Sequence, residues 1–192
     1  MKPVLHLDAG HILETQLTRS LGLDKYAYII QTVQQKDISS DAGFQRIFNS
    51  FYIVRRNTEW RECYYKLFER AKKEHYSFAD VIGCLYVETG NVEASFTSKM
   101  ISAINPDKPI WDQYVLENLG LELTGKSPRE RISNAIAIYD SIEKWYKDYL
   151  LTQEAQENVQ EFDRRLPSYK WITAVKKIDY LLWGNRDHEK EY

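Results

Sequence analysis

Apolar residues recur every three or four positions along most of the chain, the spacing that lines one face of an α-helix. Tyr26, Ile29, Ile30 and Val33 follow it, as do Phe44, Ile47, Phe48, Phe51 and Tyr52. Thr58 is placed to cap the next helix, whose stripe is Trp60, Cys63, Tyr64, Leu67, Phe68 and Ala71. "SFAD" from Ser77 opens another, carrying Val81, Ile82, Leu85 and Tyr86 and stopping near Gly90. Val92, Phe96, Met100 and Ile104 mark a helix that ends before Pro106. The next starts between Pro109 and Asp112, buries Trp111, Val115 and Leu119, and ends at Gly120. "SPRE" from Ser127 combines a capping serine, Pro at N1 and Glu at N3. Its stripe runs from Ile132 to Tyr149 through Ile136, Tyr139, Ile142 and Tyr146. Two further helices are expected, one with Val159 and Phe162 ending near Pro167, the other with Trp171, Val175, Ile178 and Leu182.

Strand signals are sparse: only "KPVLHL" and "YIVRR" look β-like, and the second lies inside a helical pattern. The expectation is an all-α chain, one domain over residues 1–192 with about eight helices in an orthogonal or irregular bundle. The segment up to about Asp41 is expected at its periphery. Composition agrees with a packed core, since 43% of the residues are hydrophobic and 14% aromatic. A formal net charge of −2 gives no global attraction to nucleic acid or anionic lipid. Cys63 and Cys84 are too few for a secreted disulfide scaffold and are expected as buried free thiols. "MKPVLHLDAGH" lacks the apolar core of a signal peptide, and no apolar run is long enough to span a bilayer. A soluble, cytoplasmic protein is the expected setting.

Candidate chemistry is thin. His6, Asp8 and His11 in "HLDAGH" share no helical face, so they are expected in a terminal loop, with no metal and no cofactor. No nucleophile–base arrangement or phosphate-binding glycine loop can be traced. Basic clusters stand beside aromatic residues at "VRRNTEWR", "DRRLPSYK" and "VKKIDY". Arginine in such company can hold phosphates and stack on bases, which makes Arg55, Arg56 and Arg61 candidate nucleic-acid contacts. The plainer alternative is a solvated helix face with snorkelling stems. Lys99 lies on a helix among Phe96, Met100 and Ala103, where partial desolvation would lower its pKa and make it nucleophilic. Asp112, thirteen residues on, is either its acid partner or a helix cap.

A lysine on one helix, a turn, and then "P-x-x-D-x-x-V" opening the next resembles the core of the helix-hairpin-helix DNA glycosylases over residues ~90–120. The resemblance implies that Lys99 attacks the anomeric carbon of a damaged nucleoside and that Asp112 assists departure of the base. The family's glycine hairpin, which grips a phosphate just before the lysine, is replaced here by "GNVEASFTSK". Two functions therefore stand. The first is a non-catalytic helical module that binds a protein or nucleic-acid partner through aromatic surface; the alternative is base excision through Lys99 and Asp112. No membrane is implied, and oligomeric state is not set by the sequence.

Overall fold

The computed structural model describes residues 6–17 and 22–185 and is all-α, with no strand among those residues. Its helices are α1 (Ala9–Leu17), α2 (Leu23–Val33), α3 (Ala42–Phe51), α4 (Thr58–Glu74), α5 (Phe78–Thr89), α6 (Ala94–Ile104), α7 (Gln113–Leu119), α8 (Pro128–Tyr149), α9 (Gln153–Arg165) and α10 (Ala174–Gly184). Among the described residues ten helices thus stand where about eight were expected. A short 3-10 turn, Pro167–Tyr169, follows α9. Most of "KPVLHL" and the tail "RDHEKEY" lie outside the described residues. None of the described helices is long and apolar enough to cross a membrane.

Local signals set most helix starts. Asp41 accepts from the Phe44 N–H at 2.7 Å, and Ser77 and Asp80 cap each other's backbone reciprocally. Ser127 and Glu130 exchange the same pair of bonds. Asn57 rather than Thr58 caps α4, because its extended backbone brings the carboxamide oxygen 2.9 Å from Trp60 N. Gly90 and Gly120 close α5 and α7 in the left-handed region, where a Cβ would be strained.

The helices sort into two compact units. The middle unit comprises Gly22–Asn105 and Leu123–Tyr139, which holds α2 to α6 and the opening turns of α8. Its core is aromatic. Phe48 lies 5.5–6.0 Å from the rings of Phe68, Tyr64 and Tyr65, all of them sealed from solvent. Such tilted ring pairs add about 0.5–1.5 kcal/mol each beyond the area they bury. α6 packs on α2 and α5. It is buried over much more than the expected single stripe: Thr97, Ser98 and Ser102 are as enclosed as Met100. Small side chains there admit close neighbours on several sides.

The terminal unit comprises, among the described residues, 6–17, 106–122 and 140–185. In it α10 packs on α1, α7 and α9. The residues expected as a polar terminal loop instead begin a helix: Asp8 accepts from His11 N at 3.0 Å, and Ile12 and Leu13 are buried. Leu7 is fixed through its backbone to Glu154 and Asn158 of α9, and His6 reaches Glu154 at 3.0 Å. "HLDAGH" is therefore a docking segment whose polar groups find partners nearly 150 positions away in the chain.

α10 departs from expectation at both ends of its motif. Thr173 is its cap, so Trp171 precedes the helix and is 47% exposed rather than part of the buried stripe. Lys176 and Lys177, expected on a solvated face, are both buried. Lys177 pairs with Asp163 at 2.6 Å. Thr173 Oγ1 donates to Pro106 O at 2.8 Å, Lys176 Nζ donates to Lys108 O, and Asp179 Oδ1 accepts from Ile110 N at 3.2 Å. Three residues spaced about one helical turn apart thereby hold alternate residues of the "PDKPI" turn segment.

Candidate functional site

The best-formed constellation of the candidate residues lies in the middle unit, where α3 gives way to α4. After Tyr52 the chain reverses at Ile53, which has φ +52° and is 62% exposed. A β-branched residue in the left-handed region costs about 1–2 kcal/mol, and such strain concentrates at sites with work to do. The reversal delivers Arg55 and Arg56 just ahead of the Asn57 cap. One turn into α4, Trp60 points inward and is 8% exposed. The end of α5 brings Glu88 and Thr89, and Asn91 follows. Together with Glu59 and Cys63 these residues line a cleft of about 430 Å³.

Beneath one wall, cations and rings alternate. The Arg56 guanidinium lies 5.5 Å from the Trp60 ring and 5.4 Å from the Phe96 ring. Lys99 Nζ lies 5.1 Å from Phe96 and 5.6 Å from Tyr52. The order is Trp60, Arg56, Phe96, Lys99, Tyr52, with each cation over ring faces that attract it. Trp60 also stacks on Tyr64 at 4.9 Å, and Tyr64 donates to Phe96 O at 2.9 Å. Burial, reinforced by Tyr65, Tyr52 and Glu93, pushes the Tyr64 phenol well above its ordinary pKa, so it stays a neutral donor. Glu93, 6% exposed, accepts from Arg56 Nη2 through Oε2 at 2.8 Å, and the ion pair, with Oε1 2.7 Å from the same nitrogen, balances its charge. The Trp60 indole Nε1 is buried with no hydrogen-bond partner among the described residues.

The residues singled out by sequence are thus distributed unevenly. Arg55 and Arg56 line the cleft, and Lys99 belongs to the same unit, separated from Arg56 by the Phe96 ring. Arg61 is half-buried and donates to Asn57 O at 3.3 Å. Asp112 belongs to the terminal unit, where it caps α7 by accepting from Val115 N at 2.9 Å. Glu93 and Glu88 were not marked by any pattern, because each pairs with an arginine distant in sequence, while Asn91 is bonded locally to Thr89. Both cysteines are free, and both are half-buried rather than fully enclosed.

A second cleft, of about 660 Å³, lies in the terminal unit against Lys108, Pro109, Tyr146 and Val175. Behind it Tyr146 donates to Asp179, which is paired with Lys176. Burial lowers the pKa of the Lys176 ammonium against the opposing pull of Asp179. With Lys176 bonded to Asp179 and to Lys108 O, and Asp179 also holding Tyr146 and Ile110, the group reads as a structural clasp. Among the described residues no group of His, Cys, Asp and Glu side chains is placed to hold a metal ion. Compared with protein-family models, curated proteins and solved structures, the chain matches none.

Proposed function

We propose that this chain is a non-catalytic helical module, cytoplasmic in setting, that engages a macromolecular partner through the cleft of its middle unit. The observation that carries the proposal is the cleft's build. A strained turn, a helix start and a helix end converge on a hollow lined by Trp60 together with Arg55 and Arg56. Tryptophan and arginine in a partly desolvated hollow are the side chains that dominate binding energy at interfaces. Base excision in the manner of the helix-hairpin-helix glycosylases is the less favoured alternative. It asks Lys99 and Asp112 to act as a pair, while Lys99 is seated over two rings and Asp112 is used as a cap.

The test is site-specific photo-crosslinking. A photoreactive residue at Thr89 or Asn91 is compared in cells with one at Leu151, an exposed position in the terminal unit. A discrete adduct from the cleft positions and none from Leu151 is expected. Equal or absent labelling at all three would remove the cleft from consideration.

A further inference from the structure

We infer that the partner presents a basic protein segment, so that a lysine or arginine side chain enters the cleft; this rests on the binding role proposed above. The sequence suggests the opposite polarity, since Arg55 and Arg56 look like anion contacts. In the structure Arg56 is already matched by the buried carboxylate of Glu93 and lies against two rings. That pair is neutral to an incoming ligand. The charges left on the cleft are then Arg55 against Glu59 and Glu88, all three exposed. Arg70 reaches Glu88 at 3.2 Å, but both side chains are substantially open to solvent, and such a pair is readily exchanged. The cleft therefore offers two exposed carboxylates, which suit the charged head of a basic side chain. A phosphate backbone would meet these carboxylates with repulsion and find one uncommitted arginine.

Two-dimensional NMR of the full chain decides the matter with three probes: hexalysine, hexaglutamate and a short oligothymidylate. Hexalysine is expected to shift the Trp60 indole resonance and the Thr89 and Asn91 amides. The double variant Glu59→Gln/Glu88→Gln, which touches only exposed side chains, is expected to weaken that binding about fivefold or more. If hexaglutamate or the oligothymidylate shifts these resonances instead, the basic-segment inference is overturned and the binding role survives. Unchanged hexalysine affinity in the double variant overturns the inference too. If none of the three probes moves the cleft resonances, both readings fall.

Discussion

The middle and terminal units each fasten a loop with the same device, a lysine and an acid one turn apart on a helix. On α4, Glu69 accepts from Ile38 N at 3.1 Å, and Lys72 donates to Val33 O at 3.1 Å and Lys36 O at 2.7 Å. On α10, Asp179 accepts from Ile110 N and Lys176 donates to Lys108 O. In both, the lysine takes an earlier carbonyl of the loop and the acid a later N–H. The acid comes first on α4 and second on α10, because one loop runs antiparallel to its helix and the other parallel. Charge order along the helix thus encodes loop direction. The surroundings differ. Glu69 is shared with Lys73, whose side chain is 65% exposed, so water reaches that pair. Lys176 is sealed, with Tyr146 on the far side of its acid.

That difference sets the order of expected effects. Asp179→Ala should be the most damaging change, costing about 3–5 kcal/mol, because it leaves a buried ammonium unmatched. Urea unfolding measures this, and Lys176→Met/Asp179→Leu should recover much of the loss. A cost no greater than that of the α4 pair would erase the distinction between the two devices. Glu69→Ala should cost about 1–3 kcal/mol, since it orphans Ile38 N while Lys72 keeps two carbonyl acceptors and Lys73 stays hydrated. Ile53→Gly should stabilise the middle unit by about 1 kcal/mol by relieving the left-handed backbone. If it does so and also weakens partner binding, the strain belongs to the cleft's function.

Acid should act on both units through carboxyls held below their ordinary pKa. Hydrogen bonds from Arg164 and Arg165 hold Glu161 of the terminal unit at about 2. Ser77 lowers Asp80, and Lys36 lowers Asp41, in the middle unit. Such groups release their protons more readily folded than unfolded. Their stabilising effect is complete above the unfolded value and fades as pH falls through the folded one. For Glu161 that window runs from 4.5 down to about 2, and a carboxyl titration by NMR should place its midpoint there. The smallest signal is expected from borohydride trapping on abasic DNA, where no adduct should form. A trapped adduct that Lys99→Ala abolishes would restore the enzymatic alternative.

Much of the helical framework is legible because it is local. The Ser77–Asp80 and Ser127–Glu130 boxes, the glycine stops and the spacing of Phe44, Phe48, Tyr64 and Phe68 all act within a turn or two of chain. Misreadings begin where polar residues have distant partners. His6 to His11 looked like a loop because Glu154 and Asn158 could not be foreseen as its partners. Lys176 and Lys177 looked solvated because Lys108 O and Asp163 lie far away in sequence. At the cleft, the arginine cluster beside Trp60 was visible, but not Glu93, which decides how much of that charge is free.

The sequence by itself determined the all-α class, most helix ends, the apolar residues that fill the core and the proline turn between Lys99 and Asp112. Hydrophobic period and capping chemistry are short-range forces, readable from neighbouring residues. Tertiary structure alone decided which charges are buried, which rings flank Arg56 and Lys99, and that Lys99 and Asp112 fall in different units. Those outcomes depend on desolvation and on partners brought in from far along the chain, and a periodic pattern carries no record of either.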